Sequence, residues 1–388
     1  MKKRICLSLA HMGGNEQKYI KEAFDSNWVA PLGPNVNGFE SDLRNYLGSE
    51  KSVVALSSGT AAIHLALVEL GITIGDDVIC QSFTFVGSAN PIVYLGGNPI
   101  FVDSEKDTWN MSPVFLEEAI LDRIIKTRKK PKAIIVVHLF GMPSKMDQIT
   151  EISKRYDIPI IEDAAEALGS RFKNRKCGIL GDFGILSFNG NKIITTSGGG
   201  ALVCSNDKEA KKIVFLATQA RDEAPYYQHT QIGYNYRLSN ICAGIGRGQM
   251  EVLPQRIERR RNINTIYRNR LSNIDGITFQ TEPNKDFFSN YWLTSIIIDP
   301  EKTNGVTKEN IRLACEAEGV ETRSLWKPMH LQPIFADTPF YGDGTCEMLF
   351  NNGLCLPSGT TLTNEQINFV ADIVKMCIVD EYCMEIAI

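Results

Sequence analysis

The run VVALSSGTAAIHLALVEL, residues 53–70, decides the fold class. Val53–Leu56 is continuously apolar, small polar residues follow it, and an apolar stretch of helical character covers Thr60–Leu70. A short strand that is apolar on both faces and turns directly into a helix is one half of a βαβ unit. The run therefore predicts an α/β fold.

The same alternation of short apolar strands and helices continues toward the C-terminus. Further strands are predicted at Asp77–Cys80, Ile100–Val102, Ala133–His138 and Ile158–Glu162, and further helices at Pro113–Lys126 and Asp147–Tyr156. This rhythm is typical of a mostly parallel sheet between layers of helices. Right-handed crossovers then bring the carboxyl ends of the strands to one edge, where ligands of open α/β sheets bind.

The pattern changes after about residue 238, where long helices precede a mixture of strands and helices. We therefore expect a large domain at residues 1–254 and a smaller α+β domain at residues 255–388. The first residues, up to about residue 12, are expected to pack on the small domain.

Composition excludes several classes of function. The chain of 388 residues carries a net charge of −4, which argues against a nucleic-acid or membrane-surface partner. No apolar run approaches the roughly 20 residues of a membrane span. The basic run Arg256–Arg261 is interpreted as a solvated helix face. Ten cysteines without a C-x-x-C pair or a metal-ligand spacing predict unpaired thiols, no metal site and a reducing cytoplasm.

The turn Ser57–Ala62 carries the first candidate site. Small residues between a strand and a helix leave backbone N–H groups at the helix N-terminus, where the helix dipole favours an anion. Ser58, Gly59 and Thr60 are the candidate ligands. An ordinary serine or threonine N-cap is the alternative.

A second candidate is the acid at the end of the strand before Ala164. Asp163 would stand at the ligand edge, while Glu162 would face the other side of the strand. A carboxylate in this place can pair with a protonated pyridine nitrogen, as pyridoxal phosphate requires. A helix cap is the alternative reading of Asp163.

The third candidate is Lys192, in the run SFNGNKIITTSGGG at residues 187–200. Its apolar neighbours and the three glycines argue against a solvent-facing charge, although surface lysines are common. A partly buried, electropositive pocket would favour the neutral amine that a Schiff base needs. The glycines would let the backbone pass close to a cofactor.

These motifs together resemble the DegT/StrS type of nucleotide-sugar aminotransferases, a family of fold-type-I enzymes that use pyridoxal 5'-phosphate (PLP). The resemblance covers nearly the whole chain and rests on six segments in order: SSGTAAIHLAL (57–67), SFTF (82–85), HLFG (138–141), EDAAEALGS (162–170), SFNGNKIITTSGGG (187–200) and GYNYRLSN (233–240). The late segments Glu321–His330 and CLPSGT (355–360) most resemble the branch that makes the 4-amino sugar of the N-acetylbacillosamine pathway.

The resemblance implies roles for individual residues. Lys192 would form the Schiff base with the cofactor, which alternates between its aldehyde and amine forms (PLP and PMP), and would shuttle the proton. Asp163 would pair with the pyridine nitrogen, Phe85 would stack on the ring, and Glu166 would lie near the 3-hydroxyl. The implied phosphate ligands and other cofactor contacts are Ser58, Gly59, Thr60, Ser187, Asn189 and, from the other subunit of a homodimer, Asn235.

The resemblance also implies the substrates. The donor would be L-glutamate and the acceptor a UDP-4-keto-6-deoxy-N-acetylhexosamine, held by Ala30, Pro31, Leu32, Gly33, Lys327 and His330. A precursor of pseudaminic acid or of GDP-perosamine is the alternative acceptor. A non-catalytic PLP-binding regulator is the alternative from another class, and the retained Lys192 and the lack of a fused DNA-binding segment weigh against it.

Overall fold

The computed structural model describes residues 4–379 of the chain. Within this range the α-helices are α1 (Glu16–Asp25), α2 (Pro34–Leu47), α3 (Gly59–Glu69), α4 (Asn90–Tyr94), α5 (Pro113–Thr127), α6 (Met146–Tyr156), α7 (Asp207–Ala217), α8 (Asn240–Met250), α9 (Leu253–Leu271), α10 (Lys308–Ala317), α11 (Thr345–Asn352) and α12 (Asn364–Val379).

The strands are β1 (Ser52–Leu56), β2 (Asp77–Gln81), β3 (Asn98–Val102), β4 (Ala133–Val137), β5 (Ile160–Asp163), β6 (Arg171–Phe172), β7 (Arg175–Lys176), β8 (Phe183–Ser187), β9 (Gly200–Cys204), β10 (Ile277–Phe279), β11 (Phe287–Phe288), β12 (Thr294–Ile298), β13 (Arg323–Ser324), β14 (Phe340–Tyr341) and β15 (Gly353–Leu356).

A large sheet organises the first two thirds of the chain. Across residues 4–379 it has eight strands in the order β1-β9-β8-β5-β4-β2-β3-β14. Only β9 runs antiparallel to its neighbours in this described sheet, and the other pairs are parallel. The predicted mostly parallel sheet is therefore confirmed.

Both faces of the sheet are covered, because alternate residues of each strand point to opposite sides. On β2, Val78 belongs to the same core cluster as Ile63 and Leu67 of α3, whereas the next residue, Ile79, belongs to the cluster that contains Leu116 of α5. Strands that are buried on both faces are uniformly apolar, which is why they could be found from sequence.

A second sheet lies in the C-terminal part of the described chain, with the strand order β10-β12-β15-β13. Helices α9, α10 and α12 pack on it, and Ile5 forms a bridge to Val320 beside it. The later strand β14 instead joins β3 in the large sheet. The domain boundary at 254/255 stays a prediction, and the outer ends of the two predicted domains, residues 1–3 and 380–388, lie outside the described residues.

The interpretation of Arg256–Arg261 as a solvated helix face is wrong. The run lies in α9, and Arg260 faces inward with 1% of its surface exposed. The three other arginines of the run also bind other parts of the chain. Arg256 donates to the carbonyls of His11 and Met12. Arg259 donates to the carbonyl of Leu362, and Arg261 forms an ion pair with Glu282. The run of charged residues in the sequence did not indicate that other segments of the chain would pack against this face of α9.

Eight cysteines of the described residues are free thiols, as expected. Cys377 is disulfide-bonded, so the expectation of unpaired thiols is wrong for this residue. No helix within residues 4–379 is both long enough and apolar enough to cross a membrane.

Candidate active site

A cavity of about 390 Å³ lies where the parallel strands end and α3 begins. Asp163 is the last residue of β5 and Ser187 the last of β8, so both stand at the ligand edge of the sheet. The predicted residues that line the cavity are Ser58, Gly59, Thr60, Phe85, Asp163, Glu166, Ser187, Asn189 and Lys192. Segments more than 130 positions apart in sequence thus meet at one site.

The N-terminus of α3 forms one wall of the cavity. Ser58 is the N-cap, and its hydroxyl accepts a hydrogen bond from the Ala61 N–H at 3.0 Å, as the N-cap alternative predicts. The first-turn amides of Gly59 and Thr60 have no acceptor within the helix, because the helix geometry provides none. A helix start with such amides binds an anion well.

The backbone of β9 crosses this turn closely. A Cβ atom on Gly200 would lie 2.3 Å from the Ser58 carbonyl carbon and 2.4 Å from the Gly59 nitrogen. The last glycine of the SGGG run is therefore required by contact between two backbones, not by the cofactor directly.

Asp163 is 5% exposed and is held by two donors. The Ser88 hydroxyl donates to Oδ2 at 2.7 Å, and the Ala165 N–H donates to Oδ1 at 3.1 Å. These two hydrogen bonds fix the carboxylate at the edge of the cavity.

Glu162 faces the opposite side of β5, as predicted. Its carboxylate accepts hydrogen bonds from the amides of Gly178, Leu180 and Gly181 and from Nε2 of His138. Burial alone would raise the pKa of Glu162, but these donors hold the pKa below its ordinary value. Although His138, Glu162 and Cys177 lie close enough to hold a metal ion, the carboxylate is fully used by the protein.

Lys192 extends into the cavity from the loop between β8 and β9. Its side chain is 13% exposed, and Nζ lies 3.5 Å from Oε1 of Glu166. Nζ also lies 4.3 Å from the centre of the Trp292 ring. The neighbouring Ile193 and Ile194 are buried and anchor the loop.

Glu166 is the charge nearest to Lys192. Burial raises the pKa of its carboxyl group, while the Lys192 ammonium and the Phe140 N–H, which donates at 2.7 Å, act in the opposite direction. Among the described lining residues the charged ones are Asp163, Glu166 and Lys192, two acids and one base. The expectation of an electropositive pocket is therefore wrong for the described residues that line this cavity.

The DegT/DnrJ/EryC1/StrS aminotransferase family matches residues 10–375. The chain belongs to this family. EpsN of Bacillus subtilis (strain 168), assigned as a pyridoxal phosphate-dependent aminotransferase, is 50% identical over 377 residues, 96% of this chain and 95% of EpsN. The GDP-perosamine synthase of Escherichia coli O157:H7 is 36% identical over 361 residues, 92% of this chain and 94% of the synthase.

Solved structures agree with the assignment. The crystal structure of a DegT DnrJ EryC1 StrS aminotransferase from Brucella abortus matches with a TM-score of 0.87 at 29% identity, covering 94% of this chain and 95% of that one. The predictions of a fold-type-I aminotransferase, of transaminase activity and of PLP as the cofactor are confirmed.

The residues of this DegT-family chain fit PLP. The start of α3 offers amides to a phosphate, Asp163 offers a fixed carboxylate, and Lys192 offers a primary amine, all within one cavity. The individual assignments of these residues stay predictions.

Several predicted residues lie outside this cavity in the single chain. Asn235 is exposed and forms a bridge to Thr218. Residues 30–33 lie near the start of α8, where the Asn240 N–H donates to the Ala30 carbonyl at 2.9 Å. Their assignment to the sugar, and that of Asn235 to a neighbouring subunit, stay predictions.

The two predicted sugar ligands of the late segment also stand apart from the cavity. Lys327 is exposed. His330 stacks on Phe340 at 3.7 Å, and its Nδ1 shares a hydrogen bond of 2.8 Å with the Ser82 hydroxyl. Its Nε2 lies 3.3 Å from Glu347. His330 is therefore already held by the protein.

Sequence reasoning missed three side chains of the site. Ser88 supports Asp163, and Trp292 and Trp326 form walls of the cavity. Ser88 follows the SFTF segment closely and could have been considered. The two tryptophans come from the C-terminal third, and no local pattern connects them to Lys192.

Replacing Gly200 with alanine should disturb the anion-binding turn, because the new methyl group would overlap the backbone of Ser58. We expect PLP affinity to fall at least about tenfold, since the turn must shift. Fluorescence titration of apo-protein with PLP measures this. Gly190→Ala is the matched control, because a Cβ there meets no atom within 4 Å among the described residues. Equal affinities for both variants would contradict the backbone argument.

Proposed function

We propose that this DegT-family sugar aminotransferase transfers an amino group from L-glutamate to C4 of a UDP-4-keto-6-deoxy-N-acetylhexosamine, giving a UDP-4-amino-4,6-dideoxy-N-acetylglucosamine for bacillosamine-type glycans. The proposal includes a cytoplasmic location. It rests mainly on one observation, the amine of Lys192 enclosed in the same cavity as Asp163 and the N-terminus of α3.

Different residues of the chain would bind different parts of the cofactor. PLP, when bound, supplies the carbonyl that takes the amino group from the donor and an electron-withdrawing ring. The amides of Gly59 and Thr60 and the hydroxyl of Ser187 would bind its phosphate. Asp163, held by Ser88, would keep a negative charge at the ring nitrogen.

Lys192 would move the proton. Its Nζ is the basic group inside the cavity among the described lining residues, so it is positioned to take a proton from the donor's reacting carbon and to return one to C4 of the sugar. Glu166, 3.5 Å away and 6% exposed, would orient the amine and exclude water.

Replacing Lys192 with alanine should lower the turnover number by roughly 10,000-fold or more, because the covalent anchor and the proton carrier are both lost. The measurement is amino-sugar formation with glutamate as donor. Lys208→Ala, on the exposed side of α7, is the control. Near-normal transamination by Lys192→Ala would refute the assignment, whereas a wild-type protein that binds PLP without turnover would favour the regulator.

A second cavity supports a substrate that carries an amide. It has about 670 Å³ and shares Asn191, Trp292 and Trp326 with the first cavity. Thr322 and Trp326 line it, and each has a buried polar atom, Oγ1 and Nε1, without a hydrogen-bond partner within residues 4–379. The carbonyl of an acetamido group could accept from such donors.

The competing acceptor is a GDP-linked keto sugar, favoured by the 36% identity to a GDP-perosamine synthase. The two candidates differ in nucleotide and in the acetamido group. The late segments that resemble the bacillosamine branch and the two unpartnered donors support the UDP-linked acceptor.

Wild-type enzyme should therefore prefer UDP-linked keto sugars with an acetamido group to the GDP-linked perosamine precursor. Trp326→Phe keeps an aromatic ring but removes the N–H together with the five-membered part of the indole, so it should lower kcat/KM for the acetamido sugar by about 5- to 10-fold. The same variant assayed on a keto sugar without the acetamido group is the control. Equal kcat/KM values of the wild type for both sugar classes would contradict this part of the proposal.

A homodimer with shared sites is also part of the proposal. Large apolar side chains remain exposed in the single chain, among them Trp28, Leu32, Tyr227 and Ile232. Phe85, a wall of the cavity, is itself 53% exposed. Exposed large apolar side chains are a feature of surfaces that a partner covers, and we expect a second copy to bring the segment that carries Asn235 to the cavity.

Mixing variants tests the shared site. Asn235→Ala should weaken PLP binding by about 10- to 100-fold if its amide binds the partner's phosphate. Mixed dimers of Lys192→Ala and Asn235→Ala chains would contain one site with both changes and one with neither, so activity should return to roughly one native site per dimer. Homodimers of each variant are the controls. No recovery in dimers shown to have exchanged subunits would mean that both residues serve one subunit's site.

A further inference from the structure

Arg260 carries a buried charge without an acidic partner. It lies on the inward face of α9, and burial together with the nearby charge of Arg256 lowers its pKa to about 9. In the described part of the chain no carboxylate lies within ion-pair distance of its guanidinium, although Arg261 beside it pairs with Glu282. Buried arginines are almost always paired, so this one requires an explanation.

The guanidinium joins two distant segments of chain. One nitrogen donates to the carbonyl of Trp292, and the other donates to the Ser8 hydroxyl at 2.9 Å. Its Nε is buried and has no partner within residues 4–379. The two hydrogen bonds of the guanidinium therefore join the N-terminal segment to the residues just before β12.

Both segments donate a hydrogen bond to the carbonyl of Asn191, the residue before Lys192. The Ser8 hydroxyl donates to this carbonyl at 2.8 Å, and Nε1 of Trp292 donates to it at 2.9 Å. Arg260 thus reaches Asn191 by two routes, one through a side chain and one through the main chain of Trp292.

The same two elements confine the Lys192 side chain. The Asn191 peptide sets the direction in which Lys192 leaves the loop, and Nζ lies 4.3 Å from the centre of the Trp292 ring. Displacement of either element would move the amine relative to Glu166, which is 3.5 Å away.

Stability alone does not account for this arrangement. Removing the Arg260 charge from water is costly, and neutral replacements of buried ionic groups are often tolerated or stabilising. A buried cation without an acidic partner that connects separate segments around a reactive amine is typical of a functional site.

We propose that Arg260 is a positioning residue for Lys192, which acts through Ser8 and Trp292 and does not itself enter the cavity. The inference rests on the proposed function, since Lys192 must be the reacting amine. It requires that loss of the guanidinium leave the fold and the PLP-binding residues intact but allow the Lys192 amine to move away from its position. A misplacement of about 1 Å can cost on the order of 100-fold in rate.

The test compares Arg260→Gln, Arg260→Lys and Ser8→Ala with Arg268→Gln. Arg268 is exposed on the same helix, so its exchange removes the same charge without the network. For each variant we would measure the thermal midpoint of the protein, the visible circular dichroism of bound PLP, and kcat and KM for glutamate in steady-state reactions.

Arg260→Gln should lower kcat by about 10- to 100-fold while KM for glutamate changes less than about threefold. The circular dichroism of the cofactor band should weaken, and the thermal midpoint should stay within a few degrees of that of the wild type. Ser8→Ala should act in the same direction, and the double variant should fall less than the product of the two losses, because both residues belong to one network. Arg260→Lys should recover part of kcat.

The positioning role would be overturned if Arg260→Gln matched Arg268→Gln in kcat and circular dichroism. It would also be overturned if Ser8→Ala had no effect, or if the losses followed a fall in the thermal midpoint of more than about 10 °C, which indicates general unfolding. Each of these results leaves Lys192 as the catalytic amine, whereas an active Lys192→Ala would refute the proposed function and not merely the role of Arg260.

Discussion

The site depends on the contact in which the backbone of Gly200 crosses the turn at Ser58 and Gly59. This contact requires β9 to run antiparallel between β1 and β8 and to begin where those two strands end. It fixes the N-terminus of α3 beside the loop that carries Lys192. The anion-binding amides and the amine therefore face one cavity because of a main-chain constraint, which no side chain elsewhere could replace.

The pleat of β5 gives two adjacent carboxylates opposite tasks. Asp163 faces the cavity and is held by Ser88, whereas Glu162 faces away and binds three amides and His138. In His138, Nδ1 accepts from the Ser144 N–H, so the proton on Nε2 is available to Glu162. Glu162 thus fixes the loop after β7, whereas Asp163 faces the cavity, where a ligand can bind it.

Local pattern was enough to predict the βαβ strands, the turn at Ser58 and the choice of Asp163 over Glu162. These features depend on residues that are neighbours in sequence, with periods of two and 3.6 that are set by strand and helix geometry. The two-residue strand β14 could not be predicted, because its place beside β3 is fixed by distant contacts such as those of Asp103 with the amides of residues 343–346. The sign of the pocket charge was also mispredicted, because Asp163 and Glu166 were expected at the site with Lys192 but no second base lines the cavity among the described residues.

The burial of Arg260 is the clearest example of a feature that the local sequence pattern could not predict. Within RIERRR its identity and spacing are those of a surface charge, and only the helix face distinguishes it from Arg259 and Arg261. The guanidinium has five donors in a rigid fork and binds two acceptors through separate nitrogens, whereas a lysine donates from a single nitrogen atom. A cation that must bridge Ser8 and the carbonyl of Trp292 is therefore best supplied by arginine. Since no carboxylate within residues 4–379 pairs with Arg260, its two bound nitrogens serve Ser8 and the carbonyl of Trp292, which both lead to the segment that carries Lys192.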